Sequence, residues 1–242
     1  MFAFAIYDKK NKNLFAARDH FGIKPFYYYW NDGNFMFGSE IKSLLEHPNF
    51  KKEVNTDALK MYLMFQYSIK EETLFKNVFK LLPGMYLNYK DGKISISRYS
   101  KLTYDKKLGD YNKIKEELKD VIEESIKYHQ MTCDVEVGSY LSGGVDSSYV
   151  VDYAKPDKTF TVGFEYKDFD ETTFAKDFSK LENIKNYSKN ISSDEFFDAL
   201  PTIMYHTDEP HANLSTVPLF FLSEIAQKQV KVVLSGEGAD EM

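Results

Sequence analysis

An apolar strand pattern at residues 135–141 runs straight into Ser142, Gly143, Gly144, Val145, Asp146, Ser147 and Ser148, and a helical pattern follows over residues 147–154. Two adjacent glycines let the backbone turn tightly with its N–H groups bared, and the start of a helix adds partial positive charge. With the serine hydroxyls, this context makes a phosphate cradle that needs no arginine. That economy matters, because of the 31 basic residues only Arg18 and Arg98 are arginines. Asp146 would repel bare phosphate, so a carboxylate here reads as a ligand for Mg²⁺, which favours one or two carboxylates together with phosphate oxygens. The bland alternative is a Gly-Gly turn with a capping serine, and the strand-loop-helix setting of all seven residues weighs against it. The loop is neither GxxxxGK[ST] nor GxGxxG, which sets aside kinase-like and dinucleotide redox readings.

From residue 135 onward strand and helix patterns alternate. Strands are expected at residues 135–141, 159–164, 185–191 and 230–234. Helices are expected at residues 147–154 and 171–181, after a capping box formed by Ser192 and Glu195, and from Pro218 to residue 229. Pro201 is expected to break or restart the third of these. Alternating units of this kind predict a parallel sheet, here with strand order 3-2-1-4. A second glycine-acidic loop, Ser235, Gly236, Glu237, Gly238, Ala239, Asp240 and Glu241, follows the last strand. In open parallel sheets ligands sit beyond the carboxyl ends of strands where the order reverses, so the two loops should face one crevice. The alternative for the second loop is a solvated acidic tail. Ahead of the sheet, Ile114, Leu118, Val121, Ile122 and Ile126 share one face of a helix over residues 111–128, predicted to pack on it.

The first hundred residues have a different rhythm, with short strands and turn punctuation. Residues 85–89 and 93–98 form a hairpin around Asp91 and Gly92, and residues 26–30 are an aromatic strand ahead of a turn at Asn31, Asp32 and Gly33. Asn55 and Thr56 offer caps to a helix carrying Leu59, Tyr62, Leu63 and Gln66. The polar stretch 100–110 reads as a linker. A net charge of −6 gives no broad footprint for a nucleic-acid backbone, and the 20 Phe and 18 Tyr are scattered as packing residues rather than as stacking repeats. One cysteine, Cys133, excludes an internal disulfide and a thiolate metal cluster. With no apolar run near the ~18 residues that span a bilayer, the cytoplasm is the expected compartment. His206 and His211 flank Asp208, Glu209 and Pro210, a mixed spacing that reads as an ordinary loop rather than a metal site.

The first loop resembles the pyrophosphate-binding loop of the ATP pyrophosphatases, and the two loops together resemble the glutamine-hydrolysing asparagine synthetases. The resemblance extends, in the family's order, to Arg18-Asp19-His20-Phe21-Gly22-Ile23-Lys24-Pro25-Phe26-Tyr27-Tyr28, Ser39-Glu40-Ile41-Lys42, Leu82-Pro83-Gly84, Thr161-Val162-Gly163-Phe164 and Asp208-Glu209-Pro210. It implies a mixed α/β and α+β chain. Residues 1–100 would be a β-rich part of an N-terminal-nucleophile-type glutaminase domain, and 101–110 a linker. Residues 111–242 would be part of an ATP-pyrophosphatase domain, adenine nucleotide α-hydrolase-like with a parallel α/β sheet. ATP and Mg²⁺ are the implied cofactors, with Ser142, Gly143, Gly144, Asp146, Ser147 and Ser148 around the pyrophosphate. Asp146 and Asp240 are the implied metal ligands, Leu141, Val162, Ser235 and Gly236 the contacts to adenosine and its sugar, and Glu237 the catalytic residue tied to a β-aspartyl-AMP intermediate. Aspartate and glutamine or ammonia are the implied substrates, with no nucleic acid and no membrane, and with a homodimer open for the intact family.

The chain departs from that pattern in several places. The family's glutaminase nucleophile is a cysteine at position one of the mature chain, whereas removal of Met1 here would expose Phe2, and Cys133 is misplaced for the task. Arg18 is accordingly expected to form an ion pair with Asp19 or Glu40 rather than to clamp substrate. Both ends read as truncated, which predicts an internal fragment with weak or no activity of its own. Leu181-Glu182-Asn183-Ile184-Lys185-Asn186-Tyr187 replaces the family's Gly-Thr-x-His element, and no role is assigned there. The rival functions are a non-catalytic remnant that binds nucleotide, and a ligase that adenylates another carboxylate in the manner of β-lactam synthetases. A tRNA- or purine-modifying pyrophosphatase would share the first loop and leave residues 18–28 and 39–42 unexplained.

Overall fold

The computed structural model describes residues 1–103, 109–131, 133–165 and 172–239. Among these, residues up to 103 together with Met204–Ala212 form one unit, and the remainder from 109 onward forms a second.

In the first unit, β1 (Ala3–Asp8), β2 (Asn13–Arg18), β6 (Met85–Lys90) and β7 (Lys93–Arg98) make an antiparallel sheet in the order β1-β2-β6-β7. A second sheet has β3 (Tyr27–Asn31) between β4 (Asn34–Gly38) and β5 (Val78–Lys80). The tight hairpins form where the sequence places them: Asp32 and Gly33 have φ of 49° and 78°, and Asp91 and Gly92 have 48° and 71°. Positive φ at both central positions gives the turn whose twist matches that of paired strands. The aromatic run of β3 is buried on both faces. Tyr28 packs with Ala16, Phe26, Leu81 and Leu87, while its neighbour Tyr29 faces the other way onto Ile41, Leu44, Phe50 and Val78.

Helix α2 (Thr56–Phe65) begins as expected, with the Asn55 side chain accepting from the Ala58 N–H at 3.2 Å. Its periodicity is not matched by burial: Ala58 is buried, whereas Leu63 is 73% exposed. Arg18 forms no ion pair among the described residues, contrary to expectation. Its guanidinium donates instead to three carbonyls, those of Gly22 (2.6 Å), Lys24 (2.7 Å) and Leu81 (2.8 Å). Five fixed N–H donors suit carbonyls that turns leave unpaired, and the adjacent Asp19 is already taken. The Asp19 carboxylate accepts from the backbone N–H groups of Phe2, Phe21, Ile23 and Lys24 at 2.9–3.1 Å, and the Asp19 carbonyl accepts from Gly84 at 2.9 Å. These two residues therefore organise the turns of residues 18–25 and 82–84.

Short helix α1 (Ile41–Leu45) receives its cap from a residue distant in sequence. Glu40, at the N-cap, makes no side-chain capping bond, and the Asp208 carboxylate accepts from the N–H groups of Ile41 (2.6 Å) and Lys42 (3.2 Å) and pairs with Lys42 Nζ at 3.1 Å. Its neighbour Glu209 pairs with Lys80 at 2.7 Å. Replacing Asp208 by alanine is expected to destabilise this unit by about 2 kcal/mol, the upper end for a lost cap plus a charge-assisted bond. Urea unfolding followed by the fluorescence of Trp30 measures it.

The second unit contains α3 (Tyr111–Met131), β8 (Val137–Tyr140), α4 (Val145–Ala154), β9 (Lys158–Phe164), α5 (Thr172–Leu181), β10 (Lys185–Ile191), α6 (Ser193–Thr207) up to Ile203, α7 (Thr216–Ala226) and β11 (Val232–Leu234). Its strands are all parallel in the order β10-β9-β8-β11, which is the expected 3-2-1-4. The capping box at α6 forms in both directions, with Glu195 N donating to Ser192 Oγ at 3.2 Å and Ser192 N to Glu195 Oε2 at 3.0 Å. Two expectations fail. Pro201 lies inside α6 without ending it, because Ala199 and Ile203 on either side are held in a core with Ile191, Val217 and Phe221, which outweighs the one backbone bond that proline removes. Helix α3 lies against α4, with Gln130 Nε2 donating to the Ala154 carbonyl at 2.6 Å, and its predicted sheet-facing residues Ile114, Leu118 and Val121 are exposed while Ile126 is buried. Among the described residues no helix is long and apolar enough to cross a membrane.

Candidate functional site

Strands β8 and β11 are neighbours, with Ser139 opposite Leu234, so the segments that leave their carboxyl ends emerge side by side. After β8 the chain turns at Gly143, whose φ of +92° is open to glycine and strained for other residues, and α4 begins with Gly144 as its N-cap. The helix starts at Val145, two residues before the expected point, which places Asp146 in its first turn. A carboxylate there is favoured by the helix dipole, and the first-turn N–H groups lack intrahelical acceptors. Serine hydroxyls close the loop on itself. Ser147 Oγ accepts from Ser142 N at 3.3 Å and lies 3.0 Å from Ser142 Oγ, and Gly144 N donates to Ser142 Oγ at 3.2 Å.

The second segment folds back against the first. A Cβ built on Gly236 would lie 2.8 Å from Ser147 N and 2.9 Å from Asp146 C, so only a residue without a side chain allows the two backbones to approach this closely. Glu237 follows in an exposed turn, its N–H donating to Ser235 Oγ at 3.3 Å.

Between the segments lies a pocket of about 610 Å³, within the range of small-molecule sites. Of the residues singled out from sequence, Leu141, Ser142, Gly144, Asp146, Ser147, Val162, Ser235, Gly236 and Glu237 line it. Gly143 and Ser148 belong to the same loop and first turn without lining the pocket. Asp240 lies outside the described residues. The sequence reading missed a wall supplied by α7, where Pro218, Leu219 and Leu222 face the pocket together with Ser215 and Tyr140. Their i, i+1, i+4 spacing behind Pro218 was the available signal.

The pocket thus combines hydroxyls, a helix N-terminus and the carboxylates of Asp146 and Glu237 with an apolar wall of Val162, Pro218, Leu219 and Leu222. That mixture suits a ligand carrying both an anionic group and an apolar ring. Among the described residues no group of three or more acidic, histidine or cysteine side chains could hold a metal by itself. A single carboxylate in the first turn of a helix, as at Asp146, would fit Mg²⁺ only together with phosphate oxygens and water, from which that ion takes most of its ligands. Cys133 lies in the second unit and its thiol donates to the His129 carbonyl at 3.2 Å.

Comparison with known proteins identifies two matching family models: one described as asparagine synthase over residues 117–242, and one described as a glutamine amidotransferase domain over residues 1–100. Asparagine synthetase [glutamine-hydrolyzing] 1 of Bacillus subtilis (strain 168) is 42% identical over 247 residues, covering 100% of this chain and 39% of that protein. Asparagine synthetase [glutamine-hydrolyzing] 3 of the same organism is 30% identical over 264 residues, covering 100% of this chain and 42% of that protein. The chain therefore spans about two fifths of the length of these curated relatives.

Proposed function

The chain belongs to the asparagine synthase family, and on that footing we propose that its second unit holds the ATP of an amide ligase. The reaction is the conversion of aspartate to asparagine through β-aspartyl-AMP, with ammonia drawn from glutamine; the glutamine amidotransferase match over residues 1–100 supports that nitrogen source. The observation that carries the reading is the contact of Gly236 with the backbone of Asp146 and Ser147, which joins two phosphate-type loops into one wall of one pocket.

In this reading the N-terminus of α4 and the hydroxyls of Ser142 and Ser147 hold the β- and γ-phosphates. Gly143, Gly144 and Ser148 shape that end, and Leu141, Val162, Ser235 and Gly236 take adenosine and its sugar. The α7 residues close the apolar side over the base. Asp146, with Asp240, would hold Mg²⁺, which when bound offsets charge on the departing pyrophosphate. The aspartate β-carboxylate attacks the α-phosphorus, the bond to the β-phosphate oxygen breaks, and pyrophosphate leaves. Ammonia then attacks the acyl carbon and AMP departs, with Glu237 assigned as the base that accepts the proton nitrogen loses.

Asp146→Asn is expected to weaken Mg²⁺-ATP binding about tenfold or more, and to leave metal-free ATP binding unchanged or slightly tighter, because the carboxylate no longer repels bare phosphate. Calorimetric titration with and without Mg²⁺ reads both, and equal weakening in the two conditions would refute the role of Asp146. Aspartate-dependent release of AMP and pyrophosphate tests the ligase itself. Binding without release would favour a nucleotide-binding module.

A further inference from the structure

We propose that Thr161 and Ser139 are positioning residues for the two loops: buried hydroxyls that each fix the carbonyl at which a loop leaves its strand. Backbone pairing between β8 and β9 ends with Tyr140 opposite Phe160, followed by a bond from Leu141 N to Phe160 O at 2.9 Å. The next acceptor, the Leu141 carbonyl, lies directly before the phosphate loop, and it receives the Thr161 hydroxyl at 2.9 Å. On the other side, Ser139 Oγ lies 3.2 Å from the carbonyl of Leu234, the last residue of β11 before the second loop, and shares its hydrogen with Tyr140 O at 3.2 Å. Thr161 is 1% exposed and Ser139 0%.

Packing alone does not call for hydroxyls in these places. Valine has the shape of threonine, favours strands equally and is cheaper to bury, so a threonine here is explained by the bond it makes. The direction of that bond is set from behind. Asn186 Nδ2 donates to Thr161 Oγ1 at 2.9 Å and to Thr159 Oγ1 at 3.0 Å, so the Thr161 oxygen is already an acceptor and its own hydrogen is left for Leu141. With the amide reversed, its oxygen would take the threonine hydrogens and the Leu141 carbonyl would lose its donor. This orientation gives both Nδ2 hydrogens an acceptor, where the reverse would leave both without one, and it leaves Asn186 Oδ1 buried and without a partner among the described residues. Thr161 adjoins the pocket-lining Val162.

The role assigned here rests on the nucleotide reading for its purpose, and its test does not. Thr161→Val, Thr161→Ser and Ser139→Ala are compared with the parent chain by amide hydrogen exchange without ligand and by Mg²⁺-ATP titration. Thr161→Val is expected to speed exchange over residues 141–148 about tenfold, the factor one buried hydrogen bond controls, to leave exchange in α3 unchanged, and to weaken Mg²⁺-ATP binding by a similar factor. Thr161→Ser is expected to restore both, and Ser139→Ala to act on residues 234–238. The proposal is overturned if Thr161→Val exchanges like the parent, if exchange rises uniformly across the unit, or if Thr161→Ser is as impaired as Thr161→Val. A parent chain that binds no ATP would remove the nucleotide reading, and the exchange pattern would still decide the positioning role.

Discussion

Replacing Gly236 by valine is expected to abolish nucleotide binding, lowering Mg²⁺-ATP affinity by about 100-fold or more, in a chain that still folds. The atoms a new side chain would meet are Ser147 N at 2.8 Å and the Asp146 carbonyl carbon at 2.9 Å, both backbone in the first turn of α4. Backbone at a helix start cannot swing aside as a long side chain does, so the loops must separate. A displacement approaching 1 Å in a preorganised site costs about two orders of magnitude. Fold stability should change little, because Gly236 lies beyond β11 in a loop. Alanine adds one carbon and should weaken binding about tenfold by the same mechanism. Gly238→Ala separates the two roles of glycine: its φ is +94°, yet nothing lies within 4 Å of the added carbon, so that variant strains the turn without pushing on α4. Calorimetry on the three variants, with circular dichroism to verify folding, gives the answer. Unchanged affinity in Gly236→Val would mean that the contact between loops is irrelevant to the ligand.

The site's frame was legible in the sequence because it depends on local chemistry and topology. Glycine pairs after strands mark the loops, and alternating strand and helix with right-handed crossovers leaves few strand orders, of which 3-2-1-4 is observed. What escaped depends on contacts between distant residues. Nothing near Arg18 reveals that three carbonyls converge on it, one of them from Leu81. Nothing near Asp208 reveals that α1 lacks its own cap. The Asn186 amide reaches Thr159 and Thr161 only once the parallel register of β9 and β10 is fixed, with Asn186 opposite Thr159. The apolar stripe of α3 misled for the converse reason: periodicity reports that a face is apolar and says nothing about what lies against it, and Val121 is 62% exposed.

Asp19→Ala should be the most destabilising change in the first unit, at about 4 kcal/mol, and should also alter how that unit responds to acid. Asp19 is 3% exposed, and its carboxylate serves four backbone N–H groups, from Phe2 across to Lys24. Alanine would leave those donors facing a gap where a charge had been, and each buried donor without an acceptor is costly. Burial by itself would raise the carboxyl pKa, and the four N–H donors overcome it, holding the group at about 2 against 3.8 for the free side chain. A folded-state pKa below the unfolded one means stability that is present above about pH 4 and lost as pH falls through that interval toward about 2. The parent chain should therefore lose stability in its first unit between about pH 4 and pH 2 with a component that Asp19→Asn lacks. Trp30, the single tryptophan, packs against the stacked rings of Phe35 and Tyr89 in this unit, so its fluorescence during urea unfolding reports on the right part of the molecule. Parallel acid profiles for the parent and Asp19→Asn, or an alanine variant within 1 kcal/mol of the parent, would show that the turns of residues 18–25 stand without the carboxylate.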